Sequence, residues 1–281
     1  MARANLNRVK RSNEVAEMSL REDQLKRYAR QLVIDEIGDE GQEKLLGARV
    51  LVVGAGGLGS PLLYYLAAAG VGTIGIADGD FVDISNLQRQ IIHGTDDIGR
   101  PKVESAADKI RKLNPDVNVE LHGERITADK AVDIISRYDV AADASDNFAT
   151  KFLMNDAAYL AGKPLSIAGI SGFDGQALTV VPGRGPCYRC LFRNPPPPGS
   201  VPVSLEAGVV GTSPGIIGAV QANEVIKIII EKGELLCGRF LVFDGLRTRF
   251  DIIEVERDPS CPLCGDNPGI KIPGDSGVRD E

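Results

Sequence analysis

Four glycines in one short loop are spaced for binding a phosphate group. Gly54, Gly56 and Gly59 match the pattern G-x-G-x-x-G, and Gly57 lies within it. Such a loop makes a tight turn, lets the backbone approach phosphates closely and presents a helix N-terminus to anionic charge. Asp78 lies nineteen residues beyond Gly59, where a carboxylate can accept hydrogen bonds from ribose hydroxyls. The pattern predicts nucleotide binding but does not distinguish NAD from ATP.

Two basic residues and an amide follow this loop. Asn86 and Arg89 lie in one polar segment, and Lys102 begins the next predicted helix. A triphosphate carries more charge than a dinucleotide and releases pyrophosphate, so it favours added cations near the glycine loop. Taken singly, each basic residue is best explained as a solvated surface charge. The placement of both cations with Asn86 favours ATP.

Four of the five cysteines form two pairs with C-x-x-C spacing, Cys187 with Cys190 and Cys261 with Cys264. Four thiolates in two such pairs are typical of a closed, structural zinc site. Seventy residues separate the pairs, which is more than in a compact zinc finger, so disulfides remain the alternative. A reducing cytosol disfavours disulfides. The fifth cysteine, Cys237, is interpreted as a small, half-buried residue.

The composition is that of an ordinary globular protein with an acidic balance. The 281 residues include 32 Lys and Arg against 39 Asp and Glu, which gives a net charge of −7. This balance disfavours a nucleic-acid partner, whose binding depends on neutralised phosphates. The only histidines are His93 and His122, which excludes a multi-histidine metal site and disfavours a histidine-driven hydrolase.

Strands that alternate with helices must position these residues. After a helical stretch at 20–47, we predict strands at 49–53, 73–77, 117–121, 140–142 and 164–168, and helices at 60–69, 102–113, 129–137 and 148–161. Beyond Gly172 we predict strands at 176–181, 240–243 and 249–255, and one long helix at 214–231. The fold class is α/β: a Rossmann-like, mostly parallel sheet with helices on both faces and an antiparallel C-terminal extension.

The segment from Asp78 to Lys102 resembles the ubiquitin-activating-enzyme-like adenylyltransferases of the molybdopterin-synthase (MoeB) and thiamine-pathway (ThiF) type. The resemblance extends in order over about residues 20–267. The matching motifs are Arg27-Tyr-x-Arg30-Gln31, Asp78-x-Asp80, Ser85-Asn-Leu-Gln-Arg-Gln90, Pro101-Lys102, Asp143-x-x-Asp146-Asn147, Cys187-Tyr-Arg-Cys190, Glu206-Ala-Gly-Val209 and Gln221-Ala-x-Glu-x-x-Lys227.

The resemblance implies ATP-dependent adenylylation of the C-terminal glycine carboxylate of a small ubiquitin-like sulfur-carrier protein. The products would be an acyl-adenylate and pyrophosphate. Asn86 and Arg89 would hold the phosphates, and Lys102 would stabilise developing negative charge. Asp78 would bind the ribose, and Asp146 would hold Mg²⁺. From the sequence alone Asp146 would be interpreted as a helix N-cap, and it could serve in both roles.

The resemblance also implies a homodimer and a structural Zn²⁺ held by the two cysteine pairs. Arg30 would enter the ATP site of the neighbouring subunit as a phosphate-binding finger. Without the resemblance, Arg30 would be interpreted as an exposed charge on a helix.

The same comparison predicts the domain organisation. Residues 19–267 would form the adenylyltransferase domain, with a nucleotide-binding half at 19–180 and a zinc-containing, carrier-binding half at 181–267. Residues 1–18 are predicted to be a flexible arm, with Met18 as an alternative start, and residues 268–281 a flexible tail. No signal segment and no window of about 18 apolar residues is present, so we expect a cytoplasmic protein without a membrane span.

Ser204 occupies a position where related enzymes often carry a cysteine. A serine cannot form a thioester or acyl-persulfide link, and no rhodanese-like domain precedes the end of the chain. We therefore expect the chain to stop at adenylation and a separate enzyme to supply sulfur.

Two other functions use some of the same residues. An NAD-dependent dehydrogenase would explain the glycine loop but leaves Arg89, Lys102 and Asp146 without a role. A non-catalytic module that docks a ubiquitin-like protein would not need these polar residues. Molybdopterin synthesis, thiamine synthesis, tRNA thiolation and protein conjugation all use carriers with a similar glycine tail, so the sequence does not select the pathway.

Overall fold

The computed structural model describes residues 20–196 and 208–274, which form a single eight-stranded sheet flanked by helices. The strand order is β3-β2-β1-β4-β5-β6-β7-β8. Its strands are β1 (Arg49–Val53), β2 (Thr73–Ala77), β3 (Asn118–His122), β4 (Val140–Asp143), β5 (Leu165–Ser171), β6 (Asp174–Val180), β7 (Arg239–Asp244) and β8 (Arg249–Glu254). Strands β1 to β5 are parallel, and β6, β7 and β8 extend the sheet in antiparallel pairing, which confirms the predicted fold class.

Nine α-helices lie within the described residues. They are α1 (Glu22–Arg27), α2 (Ala29–Leu32), α3 (Gly38–Gly47), α4 (Gly59–Ala69), α5 (Lys102–Leu113), α6 (Ala128–Ser136), α7 (Phe148–Leu160), α8 (Tyr188–Leu191) and α9 (Thr212–Ile230). The predicted helical stretch at 20–47 is three helices, because the chain turns after α2. Gly38 begins α3 with a φ of +53°.

The inner parallel strands β1, β2, β4 and β5 are mostly buried on both faces, which explains their largely apolar sequences, whereas the edge strand β3 is only partly buried. Side chains such as Val52 and Ile74 pack with α4, α5 and α9 on one face. Leu51 and Val53 pack with α6 and α7 on the other. Within the sheet, Val53 of β1 pairs with Ala77 of β2 on one side and with Asp143 of β4 on the other. The carboxyl ends of these three strands therefore meet at one edge of the sheet.

Helix α9 connects the parallel and antiparallel parts of the sheet. Gly218 lets it approach α4 closely, since a Cβ atom there would lie 2.4 Å from the Leu58 carbonyl oxygen. The buried Gln221 donates a hydrogen bond from Nε2 to the Asp143 carbonyl oxygen at 2.9 Å. The first strands and the C-terminal extension thus share one core. Among the described residues, no helix has the length and apolar character needed to cross a membrane.

Helices α1 and α2 pack at the end of α4 that is remote from the glycine loop. Tyr28 lies against Gly70, which follows α4, and its hydroxyl accepts a hydrogen bond from Asn114 Nδ2 at 2.9 Å. Gln31 donates to the Ala69 carbonyl oxygen at 3.2 Å. The predicted N-terminal arm, Ser204 and residues 275–281 of the predicted tail lie outside the described residues.

Candidate active site

The glycine loop is held in place by close backbone packing. Gly54 adopts a φ of +98°, and a Cβ atom there would lie 2.7 Å from the Ala144 carbonyl oxygen of the β4–α7 loop. A Cβ atom at Gly59 would lie 2.0 Å from the Gly54 carbonyl oxygen. Both glycines are therefore required for packing. Gly56 and Gly57 line a cavity of about 360 Å³ beside the loop, as does Gly54.

Ala55, in the middle of the loop, is fixed through both of its backbone polar groups. Its N–H donates to Asp78 Oδ2 at 2.8 Å, and its carbonyl oxygen accepts from His93 Nε2 at 2.8 Å. The other ring nitrogen of His93 pairs with the Ser105 hydroxyl at 2.8 Å. Burial lowers the pKa of His93, which keeps the ring neutral with Nε2 as the donor. Asp78 thus stabilises the conformation of the glycine loop and also lines the cavity.

The two predicted cations differ in their surroundings. Lys102 is buried, and its Nζ lies 3.1 Å from Asp80 Oδ2, whereas the Arg89 guanidinium donates to the Ser85 carbonyl oxygen at 3.0 Å. Partial burial raises the pKa of Asp80, but the hydrogen bonds and charges of Lys102 and Arg125 outweigh this effect and hold that pKa below its usual value. Asp80, whose role the sequence did not predict, is the counterion of Lys102 and Arg125.

Asp146 is exposed in the loop between β4 and α7, and it forms no hydrogen bond or ion pair with any other residue that the structure describes. The cap of α7 is Asn147, whose Oδ1 accepts from the Thr150 N–H at 2.9 Å. The alternative interpretation of Asp146 as the helix cap is therefore wrong. Its carboxylate faces the cavity as an oxygen donor of the kind that Mg²⁺ prefers.

The cavity brings most of the predicted site residues together. It is lined by Gly54, Gly56, Gly57, Asp78, Arg89, Lys102 and Asp146. Asn86 lies just outside, in a one-turn 3₁₀ helix (Ile84–Asn86), and its side chain accepts from the Asp83 N–H at 3.3 Å. Arg30 is exposed on α2, which the length of α4 separates from the loop by about 16 Å.

Gln90 is a cavity residue that the sequence analysis did not single out as a site residue. Its side chain is 5% exposed, its Oε1 has no hydrogen-bond partner among the described residues, and its Nε2 faces Gly56. A buried amide without a partner is costly, so this group is available to a polar ligand. The cavity volume also falls within the range of about 300–1,000 Å³ that small-molecule sites occupy. The residues present therefore fit a nucleotide.

The four cysteines of the C-x-x-C pairs lie close together, in the core on the face of the sheet that α6 and α7 cover. All their sulfur atoms lie within 4.8 Å of one another, with Cys187 Sγ 3.6 Å from Cys261 Sγ and Cys190 Sγ 3.2 Å from Cys264 Sγ. Tetrahedral ligands at zinc–sulfur bond length would be about 3.8 Å apart, so the cluster fits a metal ion. All five thiols are free, and Cys237 lies outside the cluster.

Helix α7 anchors the first cysteine pair. Asp156 forms a buried, bidentate ion pair with Arg189, with both nitrogen–oxygen distances at 2.7 Å. The neighbouring Asn155 accepts a hydrogen bond from the Tyr188 N–H at 2.9 Å. The same helix begins at the cavity, so the cysteine cluster and the cavity share a rigid element.

Known proteins resemble this chain over most of its length. The model of the ThiF family matches residues 28–263. A sulfur carrier protein adenylyltransferase of Thermus thermophilus is 48% identical over 251 residues, which cover 88% of this chain and 93% of the relative. The SAMP-activating enzyme E1 of Haloferax volcanii is 48% identical over 89% of this chain and 92% of its own.

A longer relative and a solved structure extend these matches. The probable adenylyltransferase/sulfurtransferase MoeZ of Mycobacterium tuberculosis is 50% identical over 87% of this chain but only 63% of its own length. The crystal structure of E. coli MccB with ATP superposes with a TM-score of 0.75 at 24% identity, covering 85% of this chain and 74% of that one. This last likeness concerns the fold alone.

The packing at Gly54 predicts a specific loss of stability. Gly54→Ala would strain the backbone and force the loop away from Ala144, which we expect to lower the free energy of unfolding by about 2 kcal/mol or more. Gly47→Ala is the control, because a Cβ atom there meets nothing within 4 Å and φ is not positive. Urea denaturation followed by circular dichroism measures both variants. Equal stability of the two would contradict the account of the loop.

Proposed function

Since this chain belongs to the ThiF family, we propose that it uses ATP to adenylylate the C-terminal glycine carboxylate of a small ubiquitin-like sulfur-carrier protein. The products are an acyl-adenylate and pyrophosphate. One observation carries this proposal: the glycine loop, two cations and the unpaired carboxylate of Asp146 surround a single cavity. The names of the relatives from T. thermophilus and H. volcanii agree with it.

The reaction needs no nucleophile from the protein. The carrier's carboxylate attacks the α-phosphorus, and pyrophosphate leaves, so the chain acts by positioning the reactants and stabilising charge. The N-terminus of α4 and the side chains of Arg89 and Lys102 provide positive potential beside the phosphates. In our account Lys102 turns from Asp80 to the phosphates, and Asp80 retains Arg125 as its partner.

Asp146, which lines the cavity, would hold Mg²⁺. The bound ion would neutralise phosphate charge and orient the pyrophosphate leaving group. Asp78 would accept hydrogen bonds from the ribose while its two oxygens keep their bonds to the Ala55 and Asp80 N–H groups, since a carboxylate has further acceptor sites.

The alternative functions explain less of the site. A nicotinamide dinucleotide would occupy the glycine loop but would give neither Lys102 nor the unpaired Asp146 a role. A pure docking module would need neither residue. The adenylyltransferase function uses both of them.

Carrier-dependent exchange of pyrophosphate into ATP tests the proposal. We expect exchange only when a carrier with a C-terminal glycine is present, without any change in nicotinamide absorbance. Arg89→Ala should lower exchange by about 100-fold or more, because a donor on the phosphates is lost, while carrier binding persists. Arg111→Ala, which removes an exposed arginine of α5, is the control. Exchange that is independent of the carrier, or undiminished in Arg89→Ala, would refute the proposal.

We further propose that the chain functions as a homodimer in which Arg30 contributes to the partner's cavity. Arg30 lies too far from the cavity of its own subunit and forms no hydrogen bond or ion pair within the described part of the chain. The adjacent Val33 is 77% exposed and Ile34 42% exposed, which leaves apolar surface for a partner beside the arginine.

Mixing two inactive variants tests this arrangement. Arg30→Ala and Arg89→Ala damage different halves of a shared site, so a mixed dimer retains one site with both arginines intact. An equimolar mixture after subunit exchange should recover about a quarter of wild-type exchange activity. Analytical ultracentrifugation should show a dimer for the wild-type protein and for both variants. No recovery in mixed dimers, or full activity of Arg30→Ala alone, would contradict a shared site.

The cysteine cluster is proposed to bind one structural Zn²⁺. It would join α8 to the turn that follows β8, and so fix the start of the C-terminal extension to its end. Four cysteine sulfurs in this compact arrangement are the ligand set that structural Zn²⁺ sites use.

Loss of one ligand should release the metal and weaken the fold. We expect Cys190→Ser to lose bound zinc and to lower the Tm by more than about 5 °C, because metal binding contributes directly to folding. Cys237→Ser, which changes a cysteine outside the cluster, should keep both. Zinc content by mass spectrometry and calorimetry measure the effects. A Cys190→Ser protein with full zinc and an unchanged Tm would exclude a four-cysteine site.

A further inference from the structure

A buried ion pair lies beneath the wall of the cavity. Asp143, the last residue of β4, is fully buried, and its Oδ2 lies 2.8 Å from Nζ of Lys151 in α7. Lys151 is only 6% exposed and does not line the cavity. Burying two charges costs free energy unless further hydrogen bonds satisfy them. The groups that hydrogen-bond to the pair therefore indicate its role.

The pair joins the end of β4 to the middle of the neighbouring strand β5. Lys151 Nζ donates to the Ser145 carbonyl oxygen at 2.8 Å and also to the Ala168 carbonyl oxygen of β5. Asp143 Oδ1 accepts from the Ser145 hydroxyl at 2.6 Å and from the Ser145 N–H at 3.3 Å. All three ammonium hydrogens are used, and Ser145 is fixed through its N–H, its carbonyl and its side chain.

These two segments lead to different walls of the cavity. Ser145 directly precedes Asp146, which is proposed to hold Mg²⁺, while Ala168 precedes Gly169 and Ile170, which line the cavity beside β6. The carbonyl oxygen of Ala144 in the same loop also packs against Gly54. One ammonium group therefore determines the distance between the Asp146 wall and the β5 wall.

We propose that Lys151, through Asp143, is the positioning residue that places Asp146 for metal and nucleotide binding. The inference rests on the proposed function, because it gives Asp146 a ligand. Lysine suits this position because its compact ammonium donates in three directions, towards a carboxylate and two carbonyl groups.

A neutral replacement of the whole pair tests the proposal. Asp143→Asn combined with Lys151→Met removes both charges, so no unpaired charge is left buried. We expect Mn²⁺ affinity, measured by electron paramagnetic resonance in the presence of a non-hydrolysable ATP analogue, to fall about tenfold. Exchange activity should fall about 100-fold, since a displacement near 1 Å has an effect of that size. The circular dichroism spectrum should be unchanged.

The matched control is Asp97→Asn with Lys109→Met, which removes an ion pair of 2.7 Å with a buried carboxylate away from the cavity. This variant should keep the wild-type Mn²⁺ affinity. Unchanged Mn²⁺ affinity in a folded Asp143→Asn/Lys151→Met protein would overturn the proposal and leave the pair a purely structural role.

A second variant decides the question if the first does not fold. Ser145→Ala removes the 2.6 Å hydrogen bond to Asp143 without changing any charge, and should weaken Mn²⁺ binding about threefold, the effect of a modest hydrogen bond. Wild-type affinity in Ser145→Ala would then overturn the proposal. If the wild-type protein binds Mn²⁺ and nucleotide but exchanges no pyrophosphate, the proposed function fails while the positioning role is still measured.

Discussion

The close packing of three strand ends at Gly54 is the constraint on which the site depends. Because Gly54 has no side chain, the ends of β1 and β4 can approach until the Ala144 carbonyl occupies the space of a Cβ atom. Asp78, at the end of β2, hydrogen-bonds to the same loop. Parallel strands bring their carboxyl ends to one edge, and this packing turns that edge into a cavity rather than a filled surface.

Charge balance explains how an acidic protein can bind a polyanion. The cavity contains cations, but Asp80 pairs with both Lys102 and Arg125, so no excess of positive charge is buried before the nucleotide arrives. A triphosphate can replace Asp80 as the partner of Lys102. The site therefore exchanges one ion pair for another, while the dipole of α4 and the Arg89 side chain face the same space.

The sequence predicted the parts whose positions depend on local spacing. The glycine loop follows a buried strand and begins a helix, and two C-x-x-C pairs are recognisable without a structure, so the loop and the cysteine cluster could both be placed in advance. The alternation of apolar strands with helices predicted the sheet and its antiparallel extension. These features depend on residues that are close in the chain or on a regular period.

The sequence did not predict features that tertiary packing determines. Asp80 becomes a counterion only because the loop after β2 contacts the start of α5, and His93 supports the glycine loop only because its ring reaches the Ala55 carbonyl. Asn147 rather than Asp146 caps α7, a choice that depends on the backbone conformation of one residue. The central claim is that a carrier carboxylate attacks the α-phosphorus in this cavity. Labelling that carboxylate with ¹⁸O and releasing the product with sulfide tests it: the account predicts one ¹⁸O atom in each AMP, and AMP without label would contradict it.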